Sequence, residues 1–167
     1  YGEPFVKLYR EERELTVILL VDVSGSQHFG THEQFKDELV AEICATLSIS
    51  AIRNNDKVGL ICFSDRIEAY IPPRKGSKHV LRVIRELLAI KPEGKGTDIG
   101  SAIEFLNKVQ KKRSIVFLVS DMQNRNWQKQ LQIANQRHDV VAVSTNDISE
   151  TQLPIVGLMR IENPETG

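Results

Sequence analysis

Asp22, Ser24 and Ser26 alternate along Val21-Asp22-Val23-Ser24-Gly25-Ser26, at the end of the apolar run Leu15–Val21. A carboxylate and two hydroxyls at alternate positions, where a buried strand stops, place three oxygen donors around one point. That set suits a small hard cation. Mg²⁺ takes oxygens in near-octahedral geometry at about 2.0–2.1 Å and favours a few protein ligands plus water over a full protein cage. Asp, Ser and Gly are also ordinary turn residues, so the segment alone reads equally well as a polar turn leaving a core strand.

Two distant segments supply further oxygens. Thr97 lies in the glycine-rich stretch Lys91-Pro92-Glu93-Gly94-Lys95-Gly96-Thr97-Asp98, and Asp121 follows Ser120 directly after the apolar run Ser114–Val119. Each has a plainer reading as well: Thr97 as the N-cap of the next helix, Asp121 as a strand-end carboxylate or the cap of a short helix beyond. Asp98 is either another acceptor or a cap, and stands outside the main set.

The elements that must carry these residues follow from periodicity. Leu15–Val21 is almost wholly apolar and β-branched, which predicts a central strand covered on both faces. From Gly30 to about Asn54, Phe35, Leu39, Ile43 and Leu47 recur every fourth position with Val40 beside them, predicting an amphipathic helix. Lys57–Phe63 and Ile67–Ile71 flank the short turn Ser64-Asp65-Arg66 as a hairpin, and Pro72-Pro73 should block further pairing at a sheet edge. Val80 to Leu88 and Ile99 to Val109 mark two more helices. Trp127–Gln136 reads as a short helix, with strands at Ser114–Val119, Asp139–Ser144 and Ile155–Ile161.

This order predicts an α/β fold: a three-layer α/β/α, doubly wound and mostly parallel sheet with one antiparallel edge strand. In such sheets ligands sit beyond the carboxyl ends of the strands, where the strand order reverses. With order 3-2-1-4-5-6, Asp22, Ser24 and Ser26 leave strand 1 beside Asp121 leaving strand 4, and the Thr97 loop crosses the same edge. The shared location is what favours a cation site.

Composition narrows the function further. At 167 residues the chain suits one domain, 1–167, and no repeat or linker divides it. Twenty-two basic and twenty-two acidic residues cancel, which argues against a general polyanion binder. Cys44 and Cys62 fall on apolar faces and do not make a disulfide framework, in keeping with a reducing, cytoplasmic setting. No apolar stretch reaches the roughly 20 residues of a membrane helix. The chain opens at Tyr1, so it is expected to be a fragment, with any membrane tether in regions outside it.

Taken together, Asp-x-Ser-x-Ser after strand 1, Gly-Thr-Asp before a helix and Ser-Asp after strand 4 resemble the von Willebrand factor A domain and its metal-ion-dependent adhesion site. The match falls on Asp22, Ser24, Ser26, Thr97 and Asp121. More narrowly, Val6–Glu14, Phe63-Ser64-Asp65, Pro72-Pro73-Arg74-Lys75-Gly76, Leu153-Pro154, Gly157 and Asn163-Pro164-Glu165-Thr166-Gly167 resemble the MoxR-associated bacterial branch of uncharacterised domains. The resemblance implies a metal-dependent protein-binding module working with a MoxR-type AAA+ ATPase in assembly or maturation of other proteins, with no catalysis. It implies that Ser24, Ser26 and Thr97 touch the ion (Mg²⁺, Mn²⁺ or Ca²⁺), while Asp22 and Asp121 act through waters or as acceptors behind the ligands. An Asp or Glu carboxylate of the partner would then complete the coordination.

Rival chemistries fit less well. A Mg²⁺-dependent phosphotransferase or phosphatase of haloacid-dehalogenase-like type needs a second Asp two residues after the first, where Ser24 stands, although Lys95 offers the later lysine. A serine nucleophile elbow needs Gly-x-Ser-x-Gly, and Gly25 is misplaced for it. His28 and His32 have i, i+4 spacing without the further Cys or carboxylates of a zinc site. Gly94-Lys95-Gly96-Thr97 lacks Walker spacing and a preceding strand. Arg82, Arg85, Lys108 and Lys111-Lys112-Arg113 read as solvated positions, the last run closing its helix against the dipole. Trp127 reads either as an exposed anchor for a partner or as a half-buried packing residue.

Overall fold

The computed structural model describes residues 14–25, 31–123, 126–145 and 157–160, with 31–36 and 157–160 described by backbone alone. Six strands, β1 (Thr16–Asp22), β2 (Lys57–Phe63), β3 (Ile67–Arg74), β4 (Ile115–Ser120), β5 (Asp139–Ser144) and β6 (Gly157–Arg160), form one sheet of order β3-β2-β1-β4-β5-β6. The helices are α1 (Thr31–Arg53), α2 (Ser77–Ala89), α3 (Ile99–Val109) and α4 (Gln128–Arg137). β1 pairs in parallel with β2 and β4, and β4 with β5, so the order reverses at the middle of the sheet. β3 is the expected antiparallel edge, and β6 adds a second one against β5.

The unbroken apolar run of β1 has a direct cause. Val17, Leu19 and Val21 face one core with Cys44 and Ala51 of α1 and Val80, Val83 and Leu87 of α2. Ile18 and Leu20 face the other, with Ile99, Ala102, Ile103 and Leu106 of α3 and Leu131 and Ala134 of α4. Alternating side chains therefore meet helices on both sides, and no position is left for a polar residue. Cys44 and Cys62 are both buried and free, and burial pushes the Cys44 thiol up to about 12.

Three details depart from the sequence reading. Along α1 the buried line runs through Cys44, Ser48 and Ala51, with Ile43 and Leu47 flanking it, so the helix is turned by about one residue from the expected stripe. Small side chains let the helix approach the sheet, and the fully buried Ser48 satisfies its hydroxyl on the Cys44 carbonyl at 2.7 Å. Pro72-Pro73 do not stop the ladder: pairing steps from Leu60 with Ile71 to Val58 with Arg74, a bulge that carries β3 past the prolines. Lys111-Lys112-Arg113 follows α3 rather than ending it; Lys111 reaches back to the Asn107 carbonyl and Arg113 pairs with Asp139 at 2.8 Å.

Candidate functional site

The carboxyl ends of β1 and β4 and the loop before α3 converge as the topology requires. Asp22 is the last residue of β1, and the chain turns tightly beyond it because Ser24 donates to Asp22 Oδ1 through both its backbone N–H, at 2.9 Å, and its hydroxyl, at 2.6 Å. Ser24 Oγ is also 2.5 Å from Thr97 Oγ1. The single Ser24 proton is directed at Asp22, so Thr97 is the donor in that contact. The other carboxylate oxygen, Asp22 Oδ2, accepts from Ser120 Oγ at 2.8 Å.

The result is a chain of hydroxyls running from Thr97 through Ser24 to one carboxylate, with Ser120 closing from the opposite side. Bonds in such a chain polarise one another and raise the electron density on each hydroxyl oxygen. Asp22 is thereby placed behind the hydroxyls as their common acceptor. Ser120 is a member that sequence reasoning missed. It is the last residue of β4, where the sequence reading ended the strand at Val119, and it is 2% exposed; the adjacent Asp121 was the visible signal. Its hydroxyl also accepts from the Met122 N–H at 3.2 Å, in a turn where Met122 has φ 60°.

The N-cap position of α3, the plainer reading of Thr97, is held by the next residue. Asp98 caps α3 instead, accepting from the Ser101 N–H at 3.0 Å and the Ser101 hydroxyl at 2.7 Å. The N-cap position of α4 is held by Trp127, beyond Asp121. The Asp121 Oδ1 atom accepts from the Gln123 N–H at 3.1 Å. Asp22, Ser24, Thr97, Ser120 and Asp121 all line one cleft of about 690 Å³. Asp37 and Glu38 of α1 and Lys91 and Lys95 also border it.

Ser26 and His28 lie outside the described residues, as does the His32 side chain. Trp127 is half-buried and packs against the α3/α4 core, so it is no exposed anchor. Among the described residues there is no group of three or more His, Cys, Asp or Glu able to hold a metal by those side chains alone. The donor set here is hydroxyl-rich, which suits a hard cation rather than a thiolate- or imidazole-seeking one.

The strand order and the two helical layers define a von Willebrand factor A-like fold, shared with solved structures. Proximal thread matrix protein 1 from the mussel byssus, in a crystal structure with a zinc-occupied metal-ion-dependent adhesion site (MIDAS) motif, aligns with TM-score 0.58 and 17% identity, covering 77% of this chain and 37% of that one. An aerotolerance-related membrane protein from Bacteroides fragilis aligns with TM-score 0.60 and 19% identity, over 75% of this chain and 65% of that one. The chain belongs to the family described as "Protein of unknown function DUF58", which matches residues 1–167. The uncharacterised protein Rv1480 of Mycobacterium tuberculosis is 27% identical over 167 residues, covering 98% of this chain. The chain spans about half the length, 53%, of that relative.

Proposed function

We propose that this chain is a divalent-cation-dependent protein-binding module of the metal-ion-dependent adhesion site type. Ser24, Ser26 and Thr97 would hold the ion directly, and Asp22 and Asp121 would act through waters or as acceptors. The observation that carries this reading is the 2.5 Å approach of Ser24 Oγ to Thr97 Oγ1 with Asp22 behind them, from two sequence-distant loops at the carboxyl edge of the sheet. Oxygen donors favour Mg²⁺, Mn²⁺ or Ca²⁺, and the zinc-occupied motif of the mussel protein supports a divalent ion in this type of site.

When bound, the ion supplies a positive charge that can bridge to an outside anion. Neutral hydroxyls cancel little of that charge, so an Asp or Glu carboxylate on a partner protein is the natural complement. A site built from several direct carboxylates would satisfy the cation internally. Further, we propose that residues 1–167 act as one unit, in the cytoplasm, with a MoxR-type AAA+ ATPase and its clients as partners. The Bacteroides fragilis neighbour is described as a membrane protein, which accords with tethering through regions outside this chain. Among the described residues no helix is long and apolar enough to cross a membrane.

The phosphotransferase alternative finds no support at Ser24, whose hydroxyl is spent on Asp22 Oδ1 where a second carboxylate should stand. Calorimetric titration with Mg²⁺, Mn²⁺ and Ca²⁺, followed by capture of partners with and without EDTA, tests the proposal. Saturable binding lost in Asp22→Ala, together with EDTA-sensitive capture, is the expected result. Absence of binding for all three ions, or aryl-phosphate turnover abolished by the same substitution, would overturn it.

A further inference from the structure

Phe63-Ser64-Asp65 contributes no oxygen to the proposed ligand set, yet both ligand-bearing loops hang from it. The Phe63 carbonyl accepts from the N–H of Val23, which stands between Asp22 and Ser24, at 2.8 Å. The next carbonyl, that of Ser64, accepts from the N–H of Asp98, which follows Thr97, also at 2.8 Å. Neighbouring peptide units at the end of β2 thus fix the two loops relative to each other.

The Thr97 loop has a second support. Glu68, on β3, accepts from the Gly94 N–H at 2.7 Å and the Ser64 hydroxyl at 2.6 Å through Oε1, and from the Glu93 N–H at 3.1 Å through Oε2. Two successive amides of the loop therefore converge on one ionised group, and such charge-assisted bonds are stronger than neutral ones. Asp65 Oδ2 takes the Gly96 N–H at 3.4 Å. The packing leaves no slack: a Cβ at Gly94 would lie 2.1 Å from Ser64 Oγ and 2.2 Å from Asp65 Oδ1. Burial pushes the Glu68 carboxyl up, but the Ser64 hydroxyl and the two amides outweigh it and hold it below the ordinary carboxylate range.

We propose that Glu68 is a positioning residue for the cation site: it pins the loop at Glu93 and Gly94, and so sets the Thr97 hydroxyl against Ser24. This inference rests on the proposed function above. A glutamine cannot do the same, because one end of its amide is a donor and would face an N–H or a hydroxyl that needs an acceptor. Residues that orient metal ligands cost about 10–100-fold in affinity when replaced.

The test uses Mn²⁺ as the probe on the full chain, comparing the unsubstituted protein with E68Q, T97A and the exposed control E104Q. E68Q is expected to weaken Mn²⁺ by about tenfold or more, and to raise the number of waters on the ion, read by proton relaxation, as T97A does. Without metal, amide exchange from Glu93 to Thr97 should quicken in E68Q and stay unchanged in E104Q. Should E68Q fail to fold, S64A removes one of the same bonds and is read in the same way. Mn²⁺ affinity and water count in E68Q equal to those of the unsubstituted chain would overturn this inference alone. No Mn²⁺ binding by the unsubstituted chain would overturn the functional reading and this inference together.

Discussion

Ser24 and Thr97 are 73 residues apart in sequence, and their hydroxyl oxygens lie 2.5 Å apart at the carboxyl edge of the sheet. Their contact is lateral to the cores, so it should matter for binding more than for stability. Thr97→Val keeps the shape and removes the hydroxyl; it is expected to lower Mn²⁺ affinity at least tenfold, on the order seen when metal sites lose a supporting oxygen. Its stability change should stay near one lost hydrogen bond, about 1 kcal/mol. Asp22→Ala, which strips the acceptor from both Ser24 and Ser120, should abolish measurable binding while far-UV circular dichroism keeps the native spectrum. Calorimetry and urea unfolding on the same samples separate the two effects.

An ion that binds the folded chain and not the unfolded one must also raise its melting temperature. At a free concentration one hundred times the dissociation constant, linkage gives about 2.7 kcal/mol. For a chain of this size that is an upward shift of about 5–10 °C. Differential scanning calorimetry with Mn²⁺ should show the shift, EDTA should reverse it, and Asp22→Ala should not show it. An equal shift in Asp22→Ala would move the ion to some other place on the molecule.

Much of this architecture could be read directly from the residues. The doubly covered apolar run of β1 announced a central strand, and the order of elements left few topologies; the strand order on which the meeting of Asp22 and Asp121 at one edge depended is the one the structure has. Ser120 was read just beyond the strand, beside the carboxylate of Asp121, where a Ser has the look of any strand-end residue; only its 2.8 Å bond to Asp22 Oδ2 marks it as part of the site. Glu68 was invisible for a similar reason. It lies in a hairpin strand where an acidic residue reads as solvated, and its partners in the Thr97 loop, Glu93 and Gly94, are backbone amides with no side-chain signature. The α1 stripe was misplaced because hydropathy ranks Leu39 and Ile43 above Ser48 and Ala51, whereas close approach of helix and sheet selects the smaller residues.

Gly59 shows the same logic at the sheet edge. The β2–β3 pairing shifts register between Val58 and Leu60, opposite the two prolines. A Cβ at Gly59 would meet Ile18 Cδ1 and Pro73 Cγ at 3.0 Å and the Ile71 carbonyl oxygen at 3.1 Å. Backbone and a proline ring yield little, so Gly59→Ala should cost about 1–3 kcal/mol through overpacking. Chemical denaturation gives the value directly. A neutral result would mean that β3 moves away from β2 more easily than its packing implies.

His138 carries the pH dependence of the opposite end of the sheet. It is fully buried after α4, and its Nδ1 accepts from the Ser114 N–H at 3.1 Å, which fixes the neutral ring with its proton on Nε2. Burial holds its pKa below the ordinary 6.5, and the Arg137 and Arg113 charges add to this, against a smaller opposing pull from Asp139. The folded state therefore binds this proton less readily than the unfolded state. The contribution to stability is complete above about pH 6.5 and is lost as pH falls from there towards the lower folded-state value, with a slope of at most about 1.4 kcal/mol per pH unit. His138→Gln retains an acceptor for Ser114 but cannot titrate. Between pH 8 and 5, urea midpoints of the unsubstituted chain should fall more steeply than those of His138→Gln; parallel curves would show that the ring binds its proton equally readily in the folded and unfolded states.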